Sequence, residues 1–132
     1  MVPDSSTTVR VRYAETDKMG VAYHANYFVW FEVARCDLLR ALGSTYRDLE
    51  ARGVMLPVIE ARCDYRTPAR YDDELEIRTS GALLSPARVE FRYAVRRNAD
   101  GAALAEGRTV HAAIDLQGRP RRLPADIRAV LA

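Results

Sequence analysis

The sequence has few of the residues that build metal or disulfide sites. Its 132 residues include two cysteines and two histidines. Cys36 and Cys63 lie far apart and have no neighbour at metal-ligand spacing, which favours two buried free thiols. His24 and His111 are too few and too scattered to form a zinc site, so we expect no metal.

Long hydrophobic runs are missing as well. No apolar stretch approaches the roughly 20 residues that a helix needs to span a bilayer. The first eight residues are largely polar, carry the acidic Asp4 and lack the apolar core of a secretion signal. We therefore expect a cytoplasmic protein without a membrane span.

Charge of one sign is not concentrated anywhere in the chain. The 20 basic and 18 acidic residues leave a net charge of +2. Arginines are spread along the chain instead of forming one basic stripe, which argues against a nucleic-acid surface. A few arginines beside a pocket would still suit a ligand that carries phosphate.

One segment has the pattern of a long helix. The spacing of apolar residues predicts a helix over residues 26–42, with Asn26 as its N-cap and Gly43 as its stop. Residues 27–31 are apolar on every side of the first turn and a half, so we expect this helix to be buried on all sides.

The rest of the chain reads mainly as strands. Alternating apolar and charged residues predict a strand at residues 9–13, before the helix. After the helix we expect a short helix at 45–52, strands at 54–66 (with an edge or bulge at Pro57), 74–84, 89–96 and 102–115, and a last short helix at 124–131.

This order of elements predicts a single α+β domain over residues 1–132. A curved antiparallel sheet of about five strands, wrapped around a long central helix, would bury the apolar residues of the helix and those of the strands in one core. That arrangement is the hotdog fold. Its sheet would have open edges and a thin core, so we expect a homodimer or a homotetramer.

The candidate site lies where the first strand leads into the long helix. Asp17 is in the loop 14–20, and unpaired N–H groups at the helix start, residues 23–27, could bind an oxyanion. A carboxylate beside them could attack a carbonyl or activate water, and Gly20 would let the loop backbone pass close to a substrate.

Each of these residues also has a structural interpretation. An aspartate in such a loop commonly forms a turn or a cap, and a histidine beside aromatic residues, as at His24, commonly makes a structural hydrogen bond. Glu32 and Arg35 lie three residues apart on the helix and would pair with each other, which would leave them as structural support.

Three segments resemble the YbgC/4-hydroxybenzoyl-CoA thioesterase-like hotdog family. The resemblance is carried by residues 11–27 (VRYAETDKMGVAYHANY), by 31–35 (FEVAR) and by 65–73 (YRTPARYDD). The first segment is the most specific, because it combines Asp, Gly, aromatic-His and Asn-Tyr at fixed offsets. Beyond residue 85 the similarity is one of pattern.

The resemblance implies hydrolysis of acyl-CoA thioesters without a metal or redox cofactor. By residue matching, Asp17 becomes the catalytic nucleophile or general base, with His24 in a supporting role. The amides around His24 and Ala25 polarise the thioester carbonyl. Substrate-binding roles fall on Gly20, Tyr23, Ala25, Asn26 and, for the nucleotide, Arg88. In the family the site lies at a dimer interface, and tetramers are common.

Other functions remain open on the sequence. A hotdog hydratase or dehydratase would use His24 with a carboxylate to abstract a proton. A non-catalytic module would bind acyl-CoA or an acyl-carrier protein without releasing thiol. The sequence does not choose between short-chain and aromatic acyl groups, or between attack by Asp17 on the thioester and activation of water.

Overall fold

The computed structural model describes residues 3–132 of the chain. This part forms one sheet and three α-helices, with a 3-10 turn at Tyr13–Glu15. The elements in chain order are β1 (Asp4–Arg10), α1 (Asn26–Ala41), α2 (Tyr46–Ala51), β2 (Val58–Tyr65), β3 (Glu74–Ser85), β4 (Arg88–Arg97), β5 (Ala103–Ala112) and α3 (Ala125–Leu131). None of these helices combines the length and the apolar character that crossing a bilayer requires.

The sheet has the strand order β1-β3-β4-β5-β2, and all neighbouring strands are antiparallel. β1 and β2 are therefore the two edges, and the chain passes from one edge to the other through α1 and α2. The predicted order of one strand, one long helix and four antiparallel strands is confirmed. β1 covers residues 4–10 and not 9–13, because the chain turns into the 3-10 segment after Val11.

The predicted helix stop at Gly43 and the predicted irregularity at Pro57 are also confirmed. Gly43 follows α1 with a φ of +85°, which is the left-handed conformation that ends a helix. Thr45 caps α2, since its Oγ1 accepts a hydrogen bond from the Asp48 N–H at 3.0 Å. Pro57 directly precedes β2, and the register of β2 shifts just after it, between residues 58 and 60.

α1 packs on one face of the sheet, mainly against β1 and β3, and is not buried on all sides. Its sheet-facing side is buried. On the opposite side Val29 is 49% exposed, Val33 is 43% exposed and Glu32 is exposed. The prediction of complete burial is therefore wrong for a single chain, because a sheet covers only the helix side that faces it.

The predicted pairing of Glu32 with Arg35 is also wrong. Arg35 turns inward, and its Nε donates to the Tyr46 hydroxyl at 3.1 Å. Glu32 forms no ion pair with any residue in 3–132. Arg35 thus links α1 to α2 and does not support the loop before α1. The two cysteines are free, as expected, but half-buried and not fully buried.

One close contact in the core joins α1 to β4 and β5. The ring of Phe31 stacks on the ring of Tyr93, with centroids 4.2 Å apart and planes 9° apart. Gly107 lies directly opposite Tyr93 in the register of β4 and β5. A Cβ atom at position 107 would overlap the Phe31 ring, so the stacked pair requires a glycine there.

We expect Gly107→Ala to lower the free energy of unfolding by about 1–3 kcal/mol, since a rigid ring must move away from an added methyl group. Gly81→Ala is the matched control. Its added Cβ would meet the flexible ends of Leu131 and Leu38 at 3.2 and 3.3 Å, which can shift by a few tenths of an ångström. Urea denaturation of both variants measures the difference, and equal losses would contradict this account of the packing.

His111 is a fully buried histidine on β5. Its Nδ1 lies 2.9 Å from the carbonyl oxygen of Leu56, and its Nε2 lies 3.0 Å from Thr109 Oγ1. Burial lowers the pKa of His111 to about 4, and the positive charge of Arg35 acts in the same direction. The folded chain therefore holds this imidazole in its neutral form at neutral pH.

The lowered pKa of His111 makes stability depend on pH. The unfolded chain binds the proton near pH 6.5, so stability should fall as the pH drops from about 6.5 to about 4, by up to about 3 kcal/mol. Urea denaturation across this range measures the slope. His111→Gln should reduce this slope, and an unchanged slope in that variant would contradict the role assigned to His111.

Candidate active site

A cavity of about 210 Å³ lies at the start of α1. Three stretches of chain form its walls: the loop before α1, the first turn of α1, and the end of β2 with the residues that follow. The lining residues are Asp17, Met19, Val21, Ala22, His24, Tyr27, Tyr65, Arg66, Thr67 and Pro68. The two predicted catalytic residues, Asp17 and His24, are thus brought together in one cavity.

Asp17 is the first residue of a tight turn. The Gly20 N–H donates to the Asp17 carbonyl at 2.9 Å, and the Met19 N–H donates to Asp17 Oδ1 at 2.9 Å. The Oδ2 atom accepts no hydrogen bond from residues 3–132, so one carboxylate oxygen holds the orientation while the other stays available. Asp17 therefore has the structural role of a turn residue and also faces the cavity.

Gly20 has a φ of +80°, a left-handed conformation that favours glycine. This conformation alone accounts for the glycine, and the predicted close approach of the backbone to another group is not needed to explain it. A Cβ atom at this position would meet no other atom within 4 Å. Within a single chain, a glycine is required at position 20 because the turn that begins at Asp17 ends there in the left-handed conformation.

Two backbone N–H groups at the start of α1 are free. The N–H groups of Tyr23, Asn26 and Tyr27 donate to backbone carbonyls at 2.8, 2.9 and 3.3 Å. Those of His24 and Ala25 donate to no acceptor within the described part of the chain. They lie at the positive end of the helix dipole, where hydrogen-bond donors stabilise negative charge.

Glu15 joins the Asp17 loop to α1. Its carboxylate is buried and accepts hydrogen bonds from the Arg12 N–H at 2.8 Å and from Trp30 Nε1 at 2.9 Å. Its backbone carbonyl accepts from the Tyr23 N–H and from Asn26 Nδ2, both at 2.8 Å. Burial alone would raise the pKa of Glu15, but the hydrogen bonds from Arg12 and Trp30 outweigh it and lower the pKa.

Asn26 has a different role from the predicted N-cap. Ala25 occupies the cap position, and Asn26 is the first residue of α1. Its side chain points back to the carbonyl of Glu15. Asn26 therefore anchors the preceding loop to the helix. The side-chain amide of an asparagine can donate a hydrogen bond, as here, or accept one, as in a helix cap.

The chain matches a known protein family over most of its length. Residues 11–131 match the family model described as the thioesterase-like superfamily. The chain belongs to this superfamily. The match covers nearly all of the described residues, including the Asp17 loop and the strands β2 to β5, but not β1. It confirms the resemblance to YbgC-like hotdog thioesterases.

Individual relatives agree with the family assignment. The acyl-CoA thioester hydrolase YbgC of Escherichia coli is 36% identical over 120 residues, which are 90% of this chain and 89% of that protein. The putative acyl-CoA thioesterase YneP of Bacillus subtilis is 45% identical over 75 residues, 57% of this chain and 54% of that protein. The crystal structure of protein TT1821 from Thermus thermophilus is 46% identical, with a TM-score of 0.89 and 96% of both chains covered.

None of the five predicted substrate-binding residues (Gly20, Tyr23, Ala25, Asn26 and Arg88) lines the cavity. Tyr23 and Ala25 are exposed, and the Tyr23 ring contacts the His24 ring at 4.5 Å. Arg88 begins β4, whereas Arg97 at the other end of β4 donates to the carbonyl of Pro68 in the cavity wall. Arg88 is thus roughly 30 Å of strand away from the site. Its nucleotide-binding role stays a prediction.

Sequence reasoning did not assign a role to the aromatic wall of the cavity. Tyr27 contacts Tyr65 edge-on with ring centroids 4.9 Å apart, and Tyr65 contacts His24 at 6.1 Å. Tyr27 and Tyr65 both belong to the segments that carry the family resemblance, which was the available signal. Their meeting depends on the packing of β2 against α1.

We expect Glu15→Gln to lower the free energy of unfolding by about 1–3 kcal/mol, because a buried charge-assisted acceptor is lost. Trp30 is the single tryptophan, so its fluorescence spectrum should shift in the same variant. Glu74→Gln removes the carboxylate of an exposed pair with Arg10 and should change neither measurement appreciably. An unchanged spectrum in Glu15→Gln would contradict the assigned contact.

Proposed function

We propose that this chain is an acyl-CoA thioesterase that hydrolyses a short-chain or aromatic acyl-CoA to the free acid and coenzyme A. One observation carries the proposal: Asp17, which has a free carboxylate oxygen, lines one small cavity with His24, and the N–H groups of His24 and of the next residue, Ala25, are free at the start of α1. Two relatives point in the same direction: YbgC is an acyl-CoA thioester hydrolase and YneP is a putative acyl-CoA thioesterase.

The free amides supply the electrophilic part of this reaction. A thioester carbonyl at the helix start would accept hydrogen bonds from the N–H groups of His24 and Ala25. These bonds strengthen as negative charge develops on the oxygen, so they stabilise the transition state more than the ground state. His24, Gly20, Tyr23 and Asn26 then act by shaping and holding this turn beside the substrate.

Asp17 supplies the nucleophilic part by one of two routes. In the first, Oδ2 attacks the thioester carbon, the C–S bond breaks, the coenzyme A thiolate takes a proton from water, and a second water hydrolyses the mixed anhydride. In the second, Oδ2 removes a proton from a water that attacks the same carbon, the tetrahedral intermediate collapses with cleavage of the C–S bond, and the departing coenzyme A thiolate takes up the proton held by Asp17. Both routes require an ionised Asp17 and neither requires a metal or redox cofactor.

We further propose that the enzyme works as a homodimer. Seven of the eight residues of the edge strand β2 are exposed, and the far side of α1 exposes Val29 and Val33. An open strand edge beside apolar surface is a common site of pairing between identical chains. The homotetramer and the cytoplasmic location stay predictions.

Replacing Asp17 by asparagine tests the proposed chemistry. We expect Asp17→Asn to lower the rate of thiol release by at least about 100-fold across short-chain, long-chain and aromatic acyl-CoAs, because the amide neither attacks nor accepts a proton. Asparagine keeps the oxygen that accepts the Met19 N–H, so the turn should persist.

Asp115→Asn is the matched control. Asp115 begins a turn of the same form, with Gly118 N–H donating to its carbonyl and Gln117 N–H donating to its Oδ1, and it does not line the cavity. It should retain wild-type activity. Loss of activity in His24→Ala but not in Asp17→Asn would support a hydratase-like mechanism instead. Tight acyl-CoA binding without thiol release would indicate a binding module.

Single-turnover reaction in heavy-oxygen water separates the two routes. Label that enters the carboxylate of Asp17 indicates the anhydride, since water then attacks either carbonyl of that intermediate. Label found only in the product acid indicates direct attack by water.

A further inference from the structure

Tyr65 makes a hydrogen bond that connects two distant parts of the site. It is the last residue of β2, and its hydroxyl donates to the backbone carbonyl oxygen of His24 at 2.9 Å. The two residues are 41 positions apart. The same carbonyl also accepts from the Tyr27 N–H, but at the longer distance of 3.3 Å. Of the two hydrogen bonds that the His24 carbonyl oxygen accepts, the one from the Tyr65 hydroxyl is therefore the shorter.

This contact acts on a peptide group that carries a free donor. The carbonyl of His24 and the N–H of Ala25 belong to one planar trans peptide, since the described chain contains no cis bond. Holding the oxygen therefore also sets the direction of the Ala25 N–H. That N–H is one of the two donors without an acceptor.

Tyr65 is 46% exposed, and its ring contacts two other rings. It lies between His24 and Tyr27, with edge-on contacts to both rings, and it forms part of the cavity wall. Burial raises the pKa of Tyr65, and its neighbour Cys63 acts in the same direction. The hydroxyl therefore stays protonated, and able to donate, at neutral pH.

We propose that Tyr65 is a positioning residue of the thioesterase reaction, which orients the His24–Ala25 peptide so that its N–H meets the developing oxyanion. Tyr65 itself exchanges no proton with the substrate. The inference rests on the proposed function, because it concerns the same site. It adds a residue from the opposite wall of the cavity, contributed by the edge strand.

Tyr65→Phe tests the hydroxyl alone, because the phenyl ring preserves the wall. Loss of one neutral hydrogen bond that acts in the transition state should lower kcat about three- to tenfold and leave KM within about twofold. Tyr71→Phe is the matched control, since Tyr71 is 60% exposed and does not line the cavity. Its kcat and KM should equal those of the wild type.

A measurement without substrate tests the peptide orientation directly. Labelling histidine with carbonyl 13C and alanine with 15N selects only His-Ala peptides, and the chain has two, His24–Ala25 and His111–Ala112. In Tyr65→Phe the Ala25 cross-peak should move or broaden, while the Ala112 cross-peak, an internal reference in β5, should stay. Neither should move in Tyr71→Phe.

The outcomes separate this inference from the proposed function. Wild-type kcat together with an unchanged Ala25 cross-peak in Tyr65→Phe overturns the positioning role, even where Asp17→Asn is inactive. A lower midpoint of thermal unfolding with equal losses in kcat and in substrate affinity also overturns it, because it indicates a purely structural role. A wild-type protein that releases no thiol overturns the function, and the Ala25 cross-peak then still decides whether Tyr65 orients the peptide.

Discussion

The buried contact between Glu15 and the first turns of α1 is the constraint on which the site depends. The carboxylate of Glu15 accepts a hydrogen bond from Trp30, and its backbone carbonyl accepts hydrogen bonds from Tyr23 and Asn26. One residue therefore ties the strand-to-helix loop to the helix at several points. Asp17 lies two residues later, so its place beside the helix start follows from this anchor. The buried charge is stabilised because several donors compensate its loss of hydration.

The site joins two chemistries that come from different kinds of structure. The carboxylate of Asp17 is presented by a four-residue turn, which needs only local hydrogen bonds and a glycine. The free N–H groups belong to the end of a helix and exist wherever a helix begins without a side-chain cap. The side chain of Asn26 does not cap α1 but donates to the backbone carbonyl of Glu15, which joins the helix to the preceding loop.

The same arrangement leaves surface that a single chain does not cover. The sheet buries only one side of α1, and β2 offers an open edge whose last residue, Tyr65, also lines the cavity. The proposed pairing of chains and the proposed site therefore share an element. Catalysis and assembly in this family member would then depend on the same strand, and changes in β2 would affect both.

The sequence by itself determined the order of the elements, the bounds of α1 and the turn at Asp17, because these follow from periodicity and turn chemistry within a few residues. With the family resemblance it also predicted that Asp17 and His24 lie close together at the start of α1, where both line one cavity. It did not determine the inward direction of Arg35, the uncovered side of α1, or the contacts of Glu15 with Trp30 and of Tyr65 with His24. Only the tertiary structure decided these, since each depends on which faces of distant segments meet, and no local pattern of residues encodes that.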